Sequence, residues 1–176
     1  KLNDMKTKIF ASALLSIFLA SSAQAQKKEK RESPPATSEA TIGSTTVKID
    51  YSQPSVKGRK IFGDLVPFGK IWRTGANEAT TIEFSNDVMI QSKKLAAGKY
   101  SLFTIPGEKE WTIIFNSVSS QWGAYRYKED KDVLRVKAGV SSHEATEKLS
   151  ITIDSKSGMI HIDWATTRVR FEIKEA

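Results

Sequence analysis

Beyond position 42 the apolar residues recur at every second position, a rhythm that restricts the chain to pleated strands with one buried face. Val47, Ile49 and Tyr51 alternate with polar neighbours, as do Thr80, Ile82 and Phe84, and then Val88 and Ile90. The same spacing returns in Tyr100, Leu102 and Thr104, in Trp111, Ile113 and Phe115, and in Leu149, Ile151 and Ile153. It closes with Ile160, Ile162 and Trp164, followed by Val169, Phe171 and Ile173. Turn formers fall between the runs: Asn86-Asp87, Ala97-Gly98, Pro106-Gly107 in the order of a type II turn, and 155–158 at a hairpin. Runs spaced about ten residues apart, with no long helical pattern, predict an all-β fold. The predicted architecture is a single-domain antiparallel β-sandwich or small barrel over residues 41–176. A transmembrane barrel fits poorly, because charged residues fall within or beside most of the runs and no aromatic girdles bracket an apolar band.

Two stretches break the rhythm. Residues 52–69 carry Pro54, Gly58, Gly63, Pro67 and Gly69 among Ile61, Phe62, Leu65, Val66 and Phe68, which predicts an ordered loop pinned by its own side chains. Residues 117–131 hold Gln121-Trp122-Gly123-Ala124-Tyr125 ahead of a charged turn. Ordered loops on a rigid sheet are where binding residues collect.

The N-terminal part reads as an address. Lys6 and Lys8 follow Met5, an apolar run spans 9–20, and small residues stand at Ala23 and Ala25. Those are the parts of a secretory signal peptide over residues 1–25, and cleavage would leave Gln26 first. No other apolar run approaches membrane-spanning length, so no transmembrane span is expected once the signal is removed. Residues 26–40 are polar and charged, and they read as a disordered tether. The chain has no cysteine, which rules out a disulfide framework, a thiolate site and a lipid-modified N-terminal cysteine. A formal charge of +7 is not arranged as a basic stripe with interleaved aromatics, so nucleic acid is not an expected partner. The expected location is exported, either periplasmic or extracellular.

Directional hydrogen-bonding groups concentrate in Trp72-Arg73-Thr74-Gly75-Ala76-Asn77-Glu78-Ala79-Thr80-Thr81. Arg73 offers a planar fork of donors, Glu78 an acceptor pair and Asn77 both, while Gly75 and Asn77 suit the positive φ of a tight turn. One reading is structural: an Arg73–Glu78 pair clamps the 52–69 loop to the sheet. The other is a binding site in which Arg73 and Asn77 anchor a carboxylate, phosphate or sugar, with Trp72, Trp122 or Tyr125 as an apolar wall. Trp111 and Trp164 alternate with isoleucines and belong to the core. Hydrolase chemistry has little support. His161 lies opposite the core-facing Ile160 and Ile162, His143 falls in a polar stretch, and neither shows metal-ligand spacing. No nucleophile elbow, zinc-protease motif or phosphate loop occurs, so no catalytic residue, metal site or cofactor is assigned.

The run from Gly58 through Thr81, continuing through 95–107, 111–116 and 121–125, resembles the exported bacterial family known as domain of unknown function 2911. Ser92 stands where that family tends to have a turn glycine, and Ala96 where a proline is common. The resemblance implies a β fold and export, and it brings no activity with it. The function expected from the sequence is a non-catalytic binding or interaction module of the cell envelope, taking an envelope glycan, a peptide or a small anion. The alternative is a small periplasmic hydrolase acting on a polysaccharide or peptide.

Overall fold

The computed structural model describes residues 31–176. The expected signal peptide and the first part of the expected tether therefore lie outside the described residues. Nine strands follow in chain order: β1 (Pro35–Ile42), β2 (Thr45–Ser52), β3 (Thr81–Phe84), β4 (Val88–Ile90), β5 (Lys93–Leu95), β6 (Gly98–Ile105), β7 (Glu110–Asn116), β8 (Asp132–Asp154) and β9 (Met159–Glu175). All pair antiparallel in one sheet of order β1-β2-β3-β6-β7-β8-β9-β4-β5. Among the described residues no helix is long and apolar enough to cross a membrane.

Each predicted run lies in a strand or beside one, and its alternating apolar residues are buried except Ile153, which is partly buried. In β2, Val47 and Ile49 are fully buried while Lys48 and Asp50 stay partly exposed. The two final runs belong to one strand. Ile160, Ile162 and Trp164 point inward on even numbers, and Val169, Phe171 and Ile173 on odd ones. The inward face changes parity between Trp164 and Val169, an interval that holds Ala165 at a φ of 53° and the register shifts against β8.

One sheet makes a two-layered core because β8 and β9 are long. β8 pairs with β7 through Asp132–Gly139 and then with β9 from Val140 onward, with register shifts at 142–146 and 146–150. The sheet folds over, so that apolar faces of β2, β3, β6 and β7 meet those of β9, β4 and the second half of β8 in one core cluster. This is the predicted sandwich-like arrangement. The ladder does not close into a barrel: β1 pairs only with β2, and β5 only with β4. Side-chain and loop-backbone hydrogen bonds stitch the seam instead. Ile151 N donates to Tyr51 Oη (3.1 Å), the Ser38 hydroxyl donates to Ile151 O, and Leu149 N donates to Pro54 O (2.9 Å).

Strand β1 corrects the tether. Residues 35–40 pair with 47–52 of β2, and Ile42 is buried. The segment lacks strong strand formers, but every second side chain is partly sheltered and the exposed edge of β2 supplies its hydrogen bonds. The folded unit therefore begins before position 41.

Strands β6 and β7 are buried on both faces. Their outer face carries a second cluster of Ala79, Phe103 and Ile114, packed with Ile71, Ile105, Ala124 and Tyr127. The 117–131 stretch thus lies against the outside of the sheet through Ala124 and Tyr127, whereas the 52–69 loop packs into the main core. In the 52–69 loop Ile61 and Val66 are the buried pins, and Phe62 packs edge-on against Trp72, Trp111 and Trp164; Leu65 and Phe68 are exposed and lie outside the core. Around 117–131 the anchor is polar. Asn116 Nδ2 donates to Asp132 Oδ1 (2.7 Å), and Tyr127 Oη and Arg135 Nε both donate to Asp132 Oδ2 (2.5 and 2.8 Å).

Candidate functional site: a clamped turn between two cavities

Residues 72–80 form a turn laid across the end of β6. Trp72 and Thr104 exchange both backbone hydrogen bonds (2.8 and 2.9 Å), and Leu102 N donates to Thr80 O (2.8 Å). Inside the turn, Thr80 Oγ1 donates to Thr74 O (2.8 Å), Thr74 Oγ1 to Thr104 Oγ1 (3.1 Å) and Trp72 Nε1 to Gly75 O (3.2 Å). Every one of these polar groups is buried and has a partner, which locks the turn's shape.

Asn77 is its joint to the rest of the molecule. At a φ of 58° it takes the left-handed conformation that asparagine tolerates. Its Nδ2 donates to Ser33 O (3.1 Å) and Ser52 Oγ (3.2 Å), while its carbonyl accepts from Gly123 N (3.0 Å). Thr74, at 56°, takes the positive φ expected of Gly75. Gly75 is needed for space, because a Cβ there would lie 3.0 Å from Thr80 Oγ1 and 3.1 Å from Ser52 O. Gly107 likewise has no positive φ, so the 106–107 connection is not the predicted type II turn; a Cβ would meet Glu110 O at 2.4 Å.

The expected Arg73–Glu78 pair does not form. Glu78 Oε2 lies 2.7 Å from Arg31 Nη1, and this hydrogen bond holds the Glu78 carboxyl below its ordinary range. Arg73 is half-buried, and its Nε is buried without an acceptor among the described residues. Burial pushes its pKa down, opposed only by the Tyr125 phenol. The clamp exists, but Asn77, Thr74 and Thr80 make it, and it ties down the N-terminal segment and the 121–125 loop as well as Ser52.

The six predicted site residues separate. Glu78, Trp122 and Tyr125 line one groove of about 780 Å³ together with Val118, Ser119 and Arg126. Trp122 is 58% exposed and Tyr125 88%, whereas Trp111 and Trp164 are almost wholly buried. Ala79 N donates to Gln121 O (3.0 Å), so the groove floor is fixed by backbone. Beyond Glu78 the groove continues over Thr81, Ser119 and Ser120 into a further 630 Å³ cavity bounded by Arg31, Asp50 and Lys99. Trp72 and Arg73 are not part of it. Trp72 is a core residue stacked on Trp164 at 5.8 Å, and both line a different cavity on the other side of the turn. Asn77 lines neither; its side chain is consumed by the clamp.

Sequence reasoning missed Arg31, which sits in a charge run with no feature to separate it from its neighbours. It also missed Arg59 and Lys57, which the fold brings opposite Arg73.

The histidines lie elsewhere. His143 is in β8, not in a loop; its Nδ1–H donates to Glu144 O (2.7 Å), and its Nε2 is 3.9 Å from Asp163 Oδ2. Asp163 is held bidentately by Arg168 at 2.7 Å through both oxygens. His161 Nδ1 is buried without a partner among the described residues, and desolvation first, then Arg168, lowers its pKa.

The family described as "Protein of unknown function (DUF2911)" matches residues 33–173. The chain belongs to that family. The DUF2911 match begins at the Ser33 carbonyl that Asn77 holds and takes in all of β1, in agreement with the strand boundary found here. Neither a curated protein nor a solved structure matches the chain.

Proposed function

We propose that this DUF2911 protein is an exported, non-catalytic binding module of the cell envelope whose Trp122–Tyr125 groove takes a segment of glycan. The observation that carries the reading is the exposure of two large aromatic side chains beside an elongated groove, in a protein whose other tryptophans are buried. An aromatic face packs against the C–H groups of a pyranose ring, and the seryl and threonyl hydroxyls beyond it suit sugar hydroxyls. The continuation past Glu78 suits a chain of sugars over a single one. Export rests on the signal-like residues 1–25.

The hydrolase alternative asks one carboxyl in the groove to donate a proton at neutral pH, which requires a raised pKa. Arg31 moves Glu78 the other way. The test is calorimetric titration with a β-1,4-linked N-acetylglucosamine tetramer and with soluble envelope glycan fragments. W122A and Y125A are expected to weaken binding at least tenfold, roughly the worth of one stacked ring, with no change in melting temperature. Glycan binding that both variants retain, or no binding at all, would dismiss the reading. Release of new reducing ends would establish the hydrolase instead.

A further inference from the structure

The second cavity, about 390 Å³, lies between the 53–69 loop and the inner side of the clamped turn. Its walls include three cations, Lys57, Arg59 and Arg73, and one carboxylate, Glu32. Glu32 lies 3.6 Å from Lys57 Nζ, and both side chains are largely exposed. Arg59 donates from Nη2 to Ser55 O (2.6 Å) and from Nε to Val56 O (3.1 Å), contacts that fix its direction, and it has no carboxylate partner among the described residues. Arg73 has no ion pair among the described residues.

Two buried N–H groups belong to residues of this wall and lack an acceptor among the described residues: Arg73 Nε and Trp164 Nε1. Both can only donate. A desolvated donor without an acceptor is unfavourable, and a charged one more so. Acceptor oxygens placed in the cavity beside the Arg73 guanidinium would offset that cost. Water can supply them, but it cannot balance the excess of cations. The stacked indoles of Trp72 and Trp164 (5.8 Å, 14° between planes) and the buried Val66 close the inner end of an otherwise polar cavity.

We propose that this cavity binds a small ligand through a carboxylate or phosphate group, with the half-buried Arg73 as the inner cation and Arg59 as the outer one. A planar guanidinium matches either oxyanion. The site is separate from the glycan groove, which shares none of these residues.

The test follows intrinsic tryptophan fluorescence, since Trp72 and Trp164 line the cavity, during titration with sodium succinate and with inorganic phosphate at constant ionic strength. Saturation by succinate alone assigns a carboxylate ligand, and by phosphate alone a phosphate ligand. In either case R73M is expected to weaken binding by about tenfold to a hundredfold, the worth of a charged hydrogen bond. R59M removes an exposed side chain, so it keeps the test available should R73M not fold; it is expected to weaken binding several-fold. W122A should leave this binding untouched. No saturation up to about 10 mM of either anion, or saturation that neither arginine variant alters, would overturn the proposal.

Discussion

Ser92 follows Gln91 in the two-residue connection between β4 and β5, and the two carry φ values of 66° and 47°. Both side chains sit in the left-handed region, where a Cβ crowds the backbone. Two successive positive φ angles are the geometry of a hairpin turn that favours glycine. Ser92→Gly is therefore expected to stabilise the fold by about 0.5–1 kcal/mol, after allowing for the greater freedom of glycine in the unfolded chain. In thermal denaturation that is a rise of roughly 2 °C; an unchanged or lower melting temperature would mean the turn is not strained. Reading single residues worked where a conformation is local. Asn77 does adopt a positive φ, because its tolerance of it is intrinsic. It failed where a side chain chooses among distant partners: Glu78 takes Arg31, forty-seven positions away, over Arg73 nearby.

At the scale of the strand, β9 shows how an irregularity in pairing redirects a pattern. The alternation is legible on each side of Ala165, but the sequence presents the two halves as separate strands, because a bulge is invisible until the partner's register is known. The same geometry sets the environment of His161, paired opposite Thr152 on β8 with Arg168 and Arg170 acting on it from β9. Desolvation and these arginines keep its folded-state pKa below the ordinary value of 6.5, with Asp163 and Asp154 opposing them. Between the folded-state pKa and 6.5 the unfolded chain binds the extra proton, so stability rises with pH through that window and is lost as pH falls from 6.5. Denaturant unfolding of the wild type and H161Q between pH 7.5 and about 5 should show a steeper acid loss in the wild type. Parallel curves would remove His161 as its source.

For the whole molecule, the N-terminal segment is part of the fold. Arg31, Ser33 and Pro34 reach Glu78, Asn77 and Gln53, and β1 follows directly. Signal cleavage as proposed would leave a chain that begins at Gln26 by intact mass. Shortening it further to Arg31 should leave the melting temperature unchanged. Shortening it to Gly43 removes β1 with Ile42, lays bare the edge of β2, and is expected to cost more than about 3 kcal/mol and to promote aggregation. Equal melting of all three chains would show that β1 contributes nothing.

The sequence by itself determined the strand class, most strand positions, the faces they bury and the two ordered loops, because apolar alternation and turn chemistry act between near neighbours. Only the tertiary structure decided that β8 and β9 carry one sheet over onto itself, that residues 35–42 complete it, and that the clamped turn divides Trp122 and Tyr125 from Arg73. Those outcomes depend on which distant groups compete for the same donors and edges, and neighbouring residues carry no record of that competition.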